Sequence, residues 1–90
     1  MADHAWTMRP VKRSLTIAGH RTSISLEPAF WEALKDVASA EGLTVAGLVA
    51  RIDEKRAAAG DDDPSGLSGR LRVHVLNHYR LPRVLPPQGR

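Results

Sequence analysis

Arg21, Ser23 and Ser25 alternate with Thr22, Ile24 and Leu26. In an extended strand the arginine and both serines would share one polar, hydrogen-bonding face, with Ile24 and Leu26 on the other. His74 and His78 stand four residues apart, a spacing that sets both imidazoles on one side of a helix and could begin a transition-metal site. Two ligands are not a site, and a third donor, His20 or His4, lies far off in the chain. No metal is therefore assigned, and both histidines are read as surface residues. Asp61, Asp62 and Asp63 hold carboxylates enough for a divalent cation. They read better as a solvated linker whose charge favours the start of a following helix. The serines have no histidine or acid at a spacing that suggests a triad, and so short a helical chain offers little cavity. With no cysteine, disulfides, thiolate zinc sites and thiol catalysis are excluded. The expectation is a protein that is not an enzyme and carries no cofactor.

Ninety residues make about one small domain. The hydrophobic fraction is 42% but aromatics are only 4%, so a core must be built from Leu, Val, Ile and Ala. No apolar run approaches the ~18 residues of a membrane span, and no leader opens the chain. The expectation is a cytoplasmic protein that does not enter membranes. Charge is segregated. Residues 1–26 are net +3, residues 27–55 net −3 and residues 56–90 net +3. That pattern fits a local basic surface facing a polyanion, with the remainder a solvated exterior.

Elements that would position these residues follow from periodicity. Residues 1–12, with Trp6, Arg9 and Pro10, read as a flexible basic arm. Strands are expected at about 14–18 and 21–27, with Gly19-His20 supplying turn chemistry for a hairpin. Pro28 suits a helix start, and Phe30, Leu34, Val37 and Ala38 form an apolar stripe over about 28–41, widened by Trp31 and Ala33. Trp31 reads as core or interface rim. Gly42 suits the position past a helix end, and Thr44 caps a second helix over about 44–57 with Val45, Leu48, Val49 and Ile52 inside. Residues 58–66 read as a linker. A third helix is expected over 67–80, with Leu71, Val75, Leu76 and Tyr79 on one side, and a disordered tail over 81–90.

The order Arg21-Thr22-Ser23-Ile24-Ser25-Leu26-Glu27-Pro28, helix, Glu41-Gly42-Leu43-Thr44, helix to Ile52 resembles the ribbon-helix-helix family of Arc/MetJ-type repressors. The added strand and third helix resemble a small bacterial subgroup of it. The resemblance implies a mainly α fold with a short β ribbon, in which each strand pairs with its copy in a second chain. Physical reasoning agrees, because a lone strand leaves backbone groups unpaired and some 36 residues cannot bury a core. The expected intertwined homodimer would share a core of Ile24, Leu26, Phe30, Leu34, Val37, Leu48, Val49 and Ile52. The resemblance places DNA-base contacts on Arg21, Ser23 and Ser25. It places phosphate contacts at the head of the second helix, Thr44, Val45 and Ala46, where free N–H groups suit an anion. Lys12 and Arg13 would add further phosphate contacts.

The functional expectation is a sequence-specific DNA-binding transcriptional regulator, a repressor, that inserts a two-stranded ribbon into the major groove of double-stranded DNA. The alternative is a dimeric protein-interaction module or an antitoxin whose third helix holds a protein partner. A four-stranded sheet in the dimer, with residues 14–17 flanking the ribbon, is the variant that would obstruct groove entry.

Overall fold

A computed structural model describes residues 8–61 and 66–84. Two antiparallel strands, β1 (Val11–Ile17) and β2 (His20–Leu26), are followed by three helices: α1 (Pro28–Ala40), α2 (Val45–Ala58) and α3 (Gly66–Val84). The strands form one hairpin within the chain, in register from Val11 opposite Leu26 to Ile17 opposite His20. β1 begins earlier than alternation predicts, so Val11 and Lys12 belong to the sheet rather than to an arm. α3 runs four residues past its expected end, so residues 81–84 are helix; the rest of the expected tail, and most of the arm, lie outside the described residues.

The hairpin turns on Ala18 and Gly19, with φ of 51° and 84°. Positive φ at both central residues is the geometry of the two-residue turns that match strand twist. Gly19 takes it freely, whereas Ala18 is strained there by its Cβ. Pro28 starts α1, and Gly42, at φ 73°, carries the chain out of it. Thr44 caps α2 by accepting a hydrogen bond from Gly47 N–H at 3.0 Å.

The hairpin lies across the helices and buries one face. Ile17, Ile24 and Leu26 join Leu34, Val37 and Ala38 of α1, Leu48, Val49 and Ile52 of α2, and Leu67, Leu71 and Val75 of α3. The expected core residues are all buried in one chain except Phe30, which is half-buried against the cluster. Hence the third helix is part of the core. Its apolar side is narrower than expected: Leu76 and Tyr79 remain 48% and 47% exposed. β1 pairs with β2 along its whole length within the chain, which covers one of the two edges of β2.

Candidate nucleic-acid interface

Alternation assigns each strand residue a face. Val11, Arg13, Leu15 and Ile17 stand opposite Leu26, Ile24, Thr22 and His20. The buried strand side chains, Ile17, Ile24 and Leu26, all belong to this set. The other face pairs Lys12 with Ser25, Ser14 with Ser23, and Thr16 with Arg21. Every one of those six side chains is polar, and all but Ser25 are exposed. The result is a flat patch two strands wide, carrying two cations and four hydroxyls.

Arg21 and Ser23 therefore sit where the alternation put them, and Lys12 shares their face. Ser14 and Thr16 complete the patch. Their place was open to inspection in the run Ser14-Leu15-Thr16-Ile17, but they join Arg21 and Ser23 only once the register is known. Ser25 lies at the inner end of the patch and is half-buried. Its N–H donates to Ser68 Oγ at 3.1 Å, and its carbonyl accepts from Arg72 Nη2 at 3.3 Å.

Arg13, expected to touch phosphate, is placed elsewhere. It is on the inner face beside Ile24, with its guanidinium carbon 4.6 Å from the Trp31 ring centroid. That is cation–π distance, and the half-buried Trp31 also packs against the core. The Arg13 Nε is buried with no hydrogen-bond partner among the described residues. Strand parity turns Arg13 toward the helices, on the face opposite the outward patch.

Thr44, Val45 and Ala46 stand at the head of α2 as expected. The Thr44 hydroxyl oxygen is occupied as the cap, and Val45 packs partly against the core. The N–H groups of the first turn, together with the helix dipole, are what an anion would meet there.

Glu27 and Arg72 tie the ribbon to α3. Arg72 donates to Glu27 through Nε at 3.0 Å and Nη2 at 3.2 Å. Those hydrogen bonds hold the Glu27 carboxyl below its ordinary value of 4.5. The candidate metal pair is split between other partners. His74 Nε2 lies 2.7 Å from Glu41 Oε2, and His78 meets Tyr79 edge-on at 4.9 Å. Among the described residues, no group of three or more His, Cys, Asp or Glu is placed to hold a metal. Asp61 does serve the start of α3. Its carboxylate lies against Gly66 and accepts from Arg70 Nε at 3.3 Å.

The ribbon-helix-helix domain family model matches residues 10–79. The chain belongs to that family, whose members commonly bind DNA as transcription regulators or serve as antitoxins and are generally not enzymes. Among solved structures, the chain is similar to an uncharacterized protein from Bordetella pertussis Tohama I. That likeness has 26% identity and a TM-score of 0.68, covering 96% of this chain and 73% of the other. No curated protein matches. No helix among the described residues is long and apolar enough to cross a membrane.

Proposed function

We propose that this protein is a sequence-specific DNA-binding transcriptional regulator, acting as a repressor in the cytoplasm and reading DNA with the outer face of its hairpin. One observation carries the reading: all six outward side chains of the ribbon are polar, and none belongs to the core. A two-stranded ribbon fits the major groove, and strands ~4.8 Å apart leave room in its ~12 Å width. Arg21 is the residue suited to fork onto guanine O6 and N7, the commonest specific contact. Ser23 and Ser25 supply hydroxyls that donate or accept, while Lys12 and the head of α2 neutralise phosphate. In this reading Arg13 supports the ribbon from beneath.

The test is a titration of wild type and Arg21→Ala against a duplex selected from a random pool and a scrambled control. Arg21→Ala should lose about 1–3 kcal/mol on the selected duplex and relax preference at one base pair. Equal affinity of the two proteins would show that the ribbon is not the reader. The second reading is an antitoxin or interaction module with its protein partner on α3. It is favoured by the open apolar groove of about 220 Å³ between Phe30, Ala33, Leu76 and Tyr79. Absence of DNA binding even at low salt would bring that reading forward.

A further inference from the structure

β2 has two edges, and one is paired with β1 throughout. On the other, Ser25 N–H donates to Ser68 Oγ at 3.1 Å, and Ser25 C=O accepts from Arg72 Nη2 at 3.3 Å. Alternate residues of a strand direct their backbone groups to the same side, so Arg21 and Ser23 turn theirs to this edge as well. Among the described residues, no backbone hydrogen bond takes them up. Such an edge is a template for a further strand. Ribbon-helix-helix domains generally dimerise, and the occupant is the β2 of a second copy. What α3 adds is a stop at one end of that edge, because Ser25 has a single N–H and Ser68 holds it.

That stop discriminates between registers. To keep the polar side chains on one face, odd residues must pair with odd. Centred on Ser23, the ladder would be longest, but it would set Ser25 against the partner's Arg21 and need the N–H that Ser68 holds. Centred on Arg21, it would place like charges directly opposite each other. Centred on Thr22, it pairs Arg21 with the partner's Ser23 and Ser23 with the partner's Arg21. Ser25 then faces the partner's Gly19, past the end of the strand.

We propose that Ser68 and Arg72 are positioning residues that set the register between two copies of β2, centred on Thr22, and so fix the spacing of the two Arg21 side chains on DNA. The register rests on the α3 hydrogen bonds, and its consequence for DNA on the DNA-binding reading. At ~3.4 Å per residue and ~4.8 Å between strands, the two Arg21 Cα atoms stand roughly 8 Å apart in this register and roughly 14 Å apart in the Ser23-centred one. With ~3.4 Å per base pair, the two spacings differ by about two base pairs. The four-stranded sheet is wider than the ~12 Å major groove, so the central β2 strands face the bases. The outer β1 strands lie over the groove walls, where Lys12 meets phosphate.

Cross-linking reads the register without DNA. The chain has no cysteine, so each introduced thiol is the only one. In the Thr22-centred register Thr22 meets its own copy in a non-hydrogen-bonded pair, with Cα atoms ~4.5 Å apart and within disulfide range. The two copies of Ser23 are offset by two residues and out of that range. Under an oxidant, Thr22→Cys should therefore give a disulfide-linked dimer and Ser23→Cys should not. Adding Ser68→Ala and Arg72→Ala releases Ser25, and Ser23→Cys should then cross-link as the centre of the longer ladder. Ser68→Ala alone, which spares the pairing of Arg72 with Glu27, should shift part of the population the same way.

A dimer band from Ser23→Cys with α3 intact, or none from Thr22→Cys, would overturn the register. An unchanged cross-linking pattern in both Ser68 variants would overturn the positioning role of α3. Random-pool selection reads the spacing. The symmetry-related base pairs at which Arg21→Ala relaxes preference should lie about two base pairs further apart when Ser68→Ala and Arg72→Ala are present. The same spacing in both backgrounds would show that the register does not govern DNA reading. Failure of wild type to select any sequence would defeat the DNA-binding reading and leave cross-linking to judge the register by itself.

Discussion

Arg21 and Arg13 are both strand arginines, and strand parity gives them opposite duties. Arg21 lies at an outward position across from Thr16, while Arg13 lies at an inward one over Trp31. Alternation made Arg21 legible from sequence because Ile24 and Leu26 fix which face of β2 is buried. For β1 the same rule was available, since Leu15 and Ile17 share parity with Arg13. It was obscured because Arg13 fell at the supposed junction of arm and strand. Glu27 was invisible as anything but a charge before Pro28; its partner Arg72 is 45 residues away. That pair carries a pH signature. The Glu27 carboxyl is depressed in the folded protein, so its contribution is present above the unfolded value and is lost as pH falls from about 4.5 through the folded one. The melting temperature of wild type should therefore drop across that acid range more steeply than that of Glu27→Gln. Parallel melting curves for the two proteins would show that the Arg72 fork contributes nothing.

The elements were readable where periodicity and breakers agreed, as in α1 between Pro28 and Gly42 and in α2 behind its Thr44 cap. The hairpin turn was readable only in part. Gly19 signalled it, but the other central residue is Ala18, a type that rarely takes positive φ. Asn tolerates that conformation and precedes Gly in the preferred two-residue turn. Ala18→Asn should accordingly stabilise the hairpin, by an amount on the order of 1 kcal/mol, measured by chemical denaturation. Lower stability would mean that Ala18 carries no backbone strain. α3 was expected to pack on the helix pair, and it does so through Leu67, Leu71 and Val75. Sequence pattern placed Leu76 and Tyr79 on the same side because the apolar arc spans them. The packed arc is narrower: Leu67, Leu71 and Val75 are buried, while Leu76 and Tyr79 border an open groove beside Phe30 and Ala33 of α1. Leu71 is fully buried, so Leu71→Ala should cost about 2–5 kcal/mol. A cost near zero would make α3 an appendage and strengthen the interaction-module reading.

At the scale of the whole molecule, the outward face of the ribbon carries exposed Lys12 and Arg21 and no acid. The helices behind it mix signs: Glu32, Asp36, Glu41 and Glu54 are exposed, and so are Lys35, Arg51, Lys55, Arg70 and Arg80. A polyanion would thus meet uniformly positive charge at the ribbon and mixed charge behind it. The sequence disclosed the segregation but not its depth, because the sign of each face depends on which strand residues turn inward. Arg13 shows the consequence. Counted along the chain, it adds to the basic end. Placed in the fold, it is on the inward side of the ribbon, over the Trp31 ring. Salt titrations separate the role of Lys12 from that of Arg13. Each phosphate neutralised contributes about 0.9 to the slope of log affinity against log salt. Lys12→Ala should flatten that slope by about one unit and leave the melting temperature nearly unchanged. Arg13→Ala should leave the slope as it is and lower stability by about 0.5–2 kcal/mol, the range of a cation–π contact. If Arg13→Ala instead flattens the slope and spares the melting temperature, Arg13 reaches phosphate, and the inward face of β1 must open when DNA binds.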